Sequence, residues 1–420
     1  MRRIWLVLHR GVGLAIALFL FLAGSTGALI SWDKELDEWL NPQLHQAHGQ
    51  GQALDPFDLA QKIEAADPRA WVIRVPLFRE EGKSAKFLVT PRIDPATGAP
   101  YELDYNEIYL DPVSGEEVGR REWGKFSLDR THLLSFLYKF HYTLHIPDFW
   151  GINRWGEWLM GGIALLWLSD CLVGFALTLP RRWRGTTNPA GEEASGATNP
   201  RHHRSWWRRW RRSWGVRWRR GRFQRMFDLH RAAGLWTWLL LATLALSAAT
   251  LNLFPEVFRP ILLAVSDFSP RPIDVYPEAP ERQPIMPGLA YREVVARAAE
   301  EARKLGWKEP VNRVFYSHRR GYYSVSFFHP ADYLAVDGMP HKRLFFDAFD
   351  GRLISIRAPW AGSGADVFVQ AQFPVHSGRI LGLPGRILIS AMGLVVAVLS
   401  VTGVYIWLRK RKGKAAGHQT

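Results

Sequence analysis

Apolar residues are strongly segregated along this chain. Four runs are long enough to cross a hydrocarbon core of roughly 30 Å, which takes about 20 helical residues: Gly11 to Trp32, Trp158 to Leu179, Ala232 to Phe254 and Ile387 to Leu408. Only Asp170 interrupts the second. Met1-Arg2-Arg3 before the first run has the look of a secretory signal, but no small-residue cleavage site follows, so the run predicts an anchored helix. Between the runs the pattern changes. "PFDLAQKIEAA" and "YREVVARAAEEARKLG" carry the helical period, while "IYLDPVSGEEVG" and "LFFDAFDGRLIS" place a turn between two extended apolar stretches.

These signals occur twice and in the same order. "LHRGVGL" opens the first span and "LHRAAGL" the third, and "FHYTLHIPDFWGINRWGEW" and "FPVHSGRILGLPGRIL" precede the second and fourth. The chain therefore reads as two copies of helix, outer α+β module, helix. The fold class expected is an α-helical membrane protein of four transmembrane helices in two pseudo-repeats, with two α+β modules outside the membrane. The segments are 1–32 (first helix), 33–150 (first module with a histidine helix), 151–180 (second helix), 181–225 (basic loop), 226–254 (third helix), 255–380 (second module), 381–408 (fourth helix) and 409–420 (tail).

Charge gives this plan a direction. The 420 residues include 54 Lys+Arg against 39 Asp+Glu, a net +15, and the loop from Arg181 to Arg225 alone holds +12. Arg409, Lys410, Arg411, Lys412 and Lys414 follow the last span, whereas Asp33 to Trp150 carries a net −7. Positive residues stay inside, so both termini and the basic loop are expected in the cytoplasm and the two modules outside. The loop alternates Arg with Trp206, Trp207, Trp210, Trp214 and Trp218. A nucleic-acid partner is one reading of that alternation; the reading adopted is an amphipathic helix with Arg on lipid headgroups and Trp on one face at the interface. The single cysteine, Cys171, excludes disulfide frameworks and Cys-ligated metal or iron–sulfur sites.

Candidate chemistry therefore falls to histidine. His9 lies six residues beyond Arg3 and His230 five beyond Arg225, which on straight helices puts both roughly 8 to 9 Å inside the cytoplasmic basic flank. Facing imidazoles at one depth are what a six-coordinate haem requires. On the outer side His141 and His145 are four apart, hence expected on one helical face, and His376 precedes the fourth span, with His132 upstream. The four positions suffice for two stacked bis-His haems, His9 with His230 and His141 or His145 with His376. Direct binding of a transition metal, or a proton relay with Asp170, is the competing reading.

At these residues the sequence resembles the PepSY-associated transmembrane-helix family, and within it the inner-membrane ferric-siderophore reductases. The resemblance spans nearly the whole chain and rests on "LHRGVGLAIALFLFLAGSTGAL", "LHRAAGL", "FHYTLHIP", "LTLPRR" and "VHSGRILGLPGRILISAMGLVVAVLSVTGVYIWLRKR", with the Asp-x-x-x-Gly turns matching the PepSY strand pattern. It implies a multi-pass protein of the bacterial inner membrane, carrying two haem b, that passes electrons to a ferric siderophore in the periplasm and releases Fe(II). The implied ligands are His9, His230, His376 and one of His141 and His145. The chain has no convincing nucleotide site, so a separate donor is expected, a quinol or a cytoplasmic redox protein. The alternative is a membrane-anchored module that binds peptide or protein and has no redox activity. A transporter would call for inverted repeats and broken helices.

Overall fold

The computed structural model describes residues 1–180, 206–329 and 339–416, with side chains to residue 412. The start of the basic loop, 181–205, and the Lys414 side chain lie outside the described residues. Helices discussed below are α1 (Arg2–Ile30), α2 (Asp33–Leu40), α3 (Pro42–His45), α4 (Pro56–Ala66), α5 (Leu133–Thr143) and α6 (Trp155–Thr178). They continue with α7 (Trp206–Trp210), α8 (Arg222–Trp236), α9 (Trp238–Asn252), α10 (Tyr291–Lys304), α11 (Gly364–His376) and α12 (Gly382–Ala416). Strands are β1 (Ala70–Pro76), β2 (Ala85–Pro91), β3 (Glu107–Leu110), β4 (Glu117–Arg121), β5 (Val311–Ser317), β6 (Tyr322–Phe327), β7 (Lys342–Asp347) and β8 (Leu353–Arg357). The chain divides into a helical unit (1–29, 141–253 and 387–420) and a sheet-bearing unit (30–140 and 254–386).

In the helical unit, Arg2–Ile30, Trp155–Thr178 and Arg379–Lys412 are long and apolar enough to cross a membrane. The fourth expected span differs: α8 and α9 meet at Thr237 with a bend of 68°. Thr237 leaves helical geometry there (φ −107°, ψ 7°), and its hydroxyl donates to the Ala233 carbonyl, a back-bond that competes with helical pairing. The Trp238 indole donates to the Cys171 carbonyl and the Trp236 indole to the Trp214 carbonyl, which hold both arms. Packing is close elsewhere. Leu241 and Leu244 meet Met392 and Val396, Ile16 meets Met160 and Ile163, and α1 crosses α12 at two glycines. A Cβ on Gly24 would stand 2.6 Å from the Gly393 carbonyl oxygen, and one on Gly393 2.5 Å from that of Gly24, so only glycine permits this approach. Arg2 donates to the carbonyls of Leu177 and Leu179, whose place at the C-terminal end of α6 favours a cation.

The Trp-rich stretch is not the continuous amphipathic helix expected. It is the short α7 followed by a 3-10 turn at Arg211–Trp214, and Trp206, Trp207, Trp210 and Trp214 pack on one another at 4.8 to 5.6 Å between centroids. Ser213 donates to the Thr178 carbonyl and Trp210 to the Thr178 hydroxyl, joining this cluster to the end of α6. Trp218 lies beyond it, 67% exposed.

The sheet-bearing unit holds one antiparallel sheet in the order β4-β3-β2-β1-β5-β6-β7-β8. The two outer segments give four strands each, and they join where Arg74 pairs with Phe315 and Val75 with Val314. Alternation sorts the strands onto two faces. Val72, Val75, Phe87, Val314, Val325 and Leu344 face a core completed by Leu59 and Ile63 of α4 and Val294 and Ala298 of α10. The Asp-x-x-x-Gly turns close β3–β4 and β7–β8 as the sequence predicts. The Asp111 carboxylate accepts from the amides of Val113, Ser114, His48 and Gly49, and Gly115 takes φ 67°. Asp347 accepts from Phe349 and Asp350, and Gly351 takes φ 74°. Glycine reaches such angles without the Cβ clash.

Candidate functional site

Two of the sequence-predicted histidines, His9 and His230, stand on α1 and α8 of the helical unit. His9, on the first turns of α1, donates from Nδ1 to the Asp170 carboxylate of α6 at 2.8 Å. His230, on α8, donates from Nδ1 to the Thr402 hydroxyl of α12 at 2.9 Å. The direction of the second bond follows from Thr402 itself, whose hydroxyl hydrogen goes to the Val398 carbonyl at 2.8 Å and leaves the oxygen to accept. Both imidazoles therefore carry their proton on Nδ1. Nε2 of each keeps its lone pair and has no partner among the described residues, the form in which histidine binds a metal.

The two rings lie together, with centroids 6.4 Å apart and planes tilted by 55°. Glycines make room beside them. A Cβ on Gly174 would come 3.4 Å from Cε1 of His9, and one on Gly403 3.4 Å from Cε1 of His230. Asp170 is only 12% exposed on its side chain and His9 33%. A carboxylate or hydroxyl on the far ring nitrogen fixes tautomer and ring orientation, as it does around metal-ligating histidines generally.

The donor set narrows what could sit there. A bare metal ion takes three or four protein ligands, and among the described residues no three His, Cys, Asp or Glu side chains are grouped to hold one. Two imidazoles suit a group that brings its own four equatorial donors, as haem does. The residues present thus fit a bis-His haem at His9 and His230.

The outer candidates are distributed differently. His141, on α5, donates from Nδ1 to the Thr26 hydroxyl at 3.0 Å, and that hydroxyl in turn donates to the Leu22 carbonyl. A Cβ on Gly27 would lie 3.0 Å from its Cε1. This repeats the Thr402–Gly403 arrangement around His230. His145 does not share a helical face with His141, because α5 ends at Thr143 and both Leu144 and His145 take left-handed backbone angles, φ 53° and 52°. Its amide donates to the Thr143 hydroxyl. His376 is the last residue of α11 in the sheet-bearing unit. His132, also in that unit, donates from Nδ1 to the Asp129 carboxylate at 2.9 Å; hydrogen bonds from Ser127 and then His132 outweigh burial and hold Asp129 at about 2.

Thr26, Thr402 and the three glycines were not legible as functional. Threonine commonly back-bonds within apolar helices, and nothing local distinguishes one that also receives an imidazole from another helix.

The profile of the family described as "PepSY-associated TM region" matches residues 6–410 of this chain. No curated protein matches it.

Proposed function

From the premise that the chain belongs to the PepSY-associated transmembrane family, we propose that it is a haem-bearing membrane reductase that passes electrons from a cytoplasmic-side donor to a ferric siderophore in the periplasm. The observation that carries this reading is the His9–His230 pair, 6.4 Å between centroids with both Nδ1 atoms engaged and both Nε2 lone pairs available. Haem bound there would supply a one-electron couple within the membrane, where side chains alone provide none. The chain's own residues do the rest. Asp170 and Thr402 orient the imidazoles and set their basicity, and Gly174 and Gly403 leave the rings unobstructed. Siderophores hold Fe(III) far more tightly than Fe(II), so one electron delivered outside is a release step.

In this reading α7 and the basic residues after it lie at the cytoplasmic surface, where a quinol or a redox protein would donate. A second haem on His376 and one of His141 and His145 rests on the sequence; the Thr26 bond and the Gly27 contact favour His141 of the two.

Absorbance tests the proposal. Full-length protein expressed with ample haem should show a Soret band, shift on dithionite reduction, and reoxidise on addition of a ferric siderophore. His9→Ala and His230→Ala should each remove the same haem fraction while the sheet-bearing unit stays folded. Colourless wild-type protein would overturn the reading and leave the membrane-anchored binding module in its place.

A further inference from the structure

The face of the sheet opposite α4 and α10 carries an unusual row of charge. Arg313 on β5 pairs with Ser326 on β6, Ser326 with Arg343 on β7, and Arg343 with Arg357 on β8. Directly paired residues of an antiparallel sheet point to one side, so three arginines line up across four strands. Arg74 of β1 extends the row: burial first, then the charges of Arg313, Arg74 and Arg357, press Arg343 down to about 10. Like charges so arranged are destabilising. Part of the cost is met within the fold, since Arg343 donates to Nε2 of His341 at 2.7 Å and Arg357 lies 3.6 Å from Asp366.

Arg313 has no such relief. It rests over the Phe328 ring at 5.4 Å and makes no ion pair among the described residues, and it opens into a pocket of roughly 270 Å3 within the sheet-bearing unit. Seven cationic side chains and four acidic ones line that pocket. Three of the acids are committed, Asp33 to Arg379, Asp37 to Arg121 and His45, and Glu38 to Lys83 and Lys34, and Lys86 is held by Glu107, so the cations that can meet a ligand are chiefly Arg313 and Arg79, with Glu80 the remaining acid. Arg79, exposed at the rim, also has no carboxylate partner among the described residues. Asn312 in the same wall is 5% exposed and its amide nitrogen has no hydrogen-bond partner among the described residues. A buried donor left without an acceptor is costly. An excess of cations, a spare donor and aromatic walls at Trp123 and Tyr138 describe a site for something anionic and organic.

We propose that this pocket binds a small organic polyanion of the polycarboxylate class, anchored by Arg313 and Arg79. Its volume is more than an inorganic oxyanion fills and below the usual range for larger ligands, which starts at about 300 Å3. Arginine meets a carboxylate with two parallel hydrogen bonds, and two separated guanidinium groups select a ligand with more than one carboxylate. The proposal goes beyond the redox reading and does not depend on it.

The test is calorimetric titration of citrate into the full-length protein in detergent and phosphate-free buffer. Wild type should bind saturably, with affinity falling as salt rises. Arg313→Gln should weaken binding at least tenfold and Arg79→Gln several-fold, while Arg292→Gln, whose partners are Asp55 and Asp58 elsewhere, should leave it unchanged. Should Arg313→Gln fail to fold by circular dichroism, Arg79→Gln and Asn312→Asp decide, the latter placing a repelling charge in the wall. Absence of saturable citrate binding, wild-type affinity in the folded pocket variants, or phosphate binding as tightly as citrate would overturn the proposal. The Soret band of the same samples separates the two ideas. Colourless protein that binds citrate removes only the reductase reading, and haem-bearing protein indifferent to citrate removes only this one.

Discussion

Replacing Gly24 or Gly393 by alanine should loosen the α1–α12 crossing by an amount the structure allows us to work out. The added carbons would stand 2.6 and 2.5 Å from the opposing carbonyl oxygens, where ordinary contact begins at 3.4 Å. The obstacles are backbone atoms, so the helices themselves must part by 0.8 to 0.9 Å at this point. A radial gap of 0.5–1 Å forfeits roughly a quarter to a half of each dispersion contact along the seam, and Met392 and Val396 beside it are now only 2% and 5% exposed. Overpacking of this kind costs about 1–3 kcal/mol, so each single variant should lose about 2 kcal/mol. Both carbons widen the same gap, and the double variant should lose less than the sum. Gly162→Ala on α6 is the control, because nothing lies within 4 Å of its Cβ position and alanine there should be neutral or gain up to about 1 kcal/mol. Unfolding in detergent, followed by tryptophan fluorescence with size-exclusion recovery, reads all four. Wild-type stability in Gly24→Ala and Gly393→Ala, or an equal loss in Gly162→Ala, would refute the close-approach argument.

Two further outcomes follow from other parts of the molecule. Hydrogen bonds to charged acceptors are roughly twice as strong as neutral ones, so under the proposed reading Asp170→Asn should raise the midpoint potential of a haem held by His9 and His230, whereas Thr402→Val should lower haem retention with a smaller shift; equal shifts in a redox titration would show that the carboxylate does not tune His9. In the sheet-bearing unit, burial alone would raise Glu107, but the charges of Lys86 and Arg121 and hydrogen bonds from Arg121 and Tyr109 bring it from 4.5 to about 2. A carboxyl depressed on folding contributes stability that is complete above its unfolded value and is lost as pH falls through the folded one, so melting temperature should drop between about pH 4.5 and 2, and an unchanged acid limb in Glu107→Gln would sink the assignment.

Much of this was legible before any coordinates, and the failures have physical causes. The four apolar runs declared themselves by length, because hydrocarbon demands an uninterrupted stretch. The bend at Thr237 did not, since hydropathy carries no direction and the break is held by Trp236 and Trp238 reaching other segments. The depth count that linked His9 to His230 assumed a straight third helix; the rings are adjacent even so, on an arm turned by 68°. His145 was misplaced by helical spacing although Pro147 stood two residues on, and helices usually end at or before the residue preceding a proline. Asp170 was conspicuous as the lone acid in its span, while Thr26 and Thr402 were hidden among ordinary helix-compatible residues. Both turns were readable from Asp and Gly at fixed spacing. That β1 and β5 share a ladder was not, because each segment's alternation is satisfied within its own four strands.

That ladder also sets a timetable. Arg74 and Phe315 are paired yet 241 residues apart in the chain, an interval that synthesis at about 5–20 residues per second takes on the order of 10 to 50 s to cover. Until β5 emerges, β1 is an open edge able to recruit the wrong strand. Its register slips against β2 between Val72 and Arg74, and it ends in Pro76, which has no amide hydrogen to offer. The nascent first half thus waits with a blunted edge for a partner that arrives only after the third hydrophobic segment has been made, and the efficiency of biogenesis should depend on how fast the second half follows.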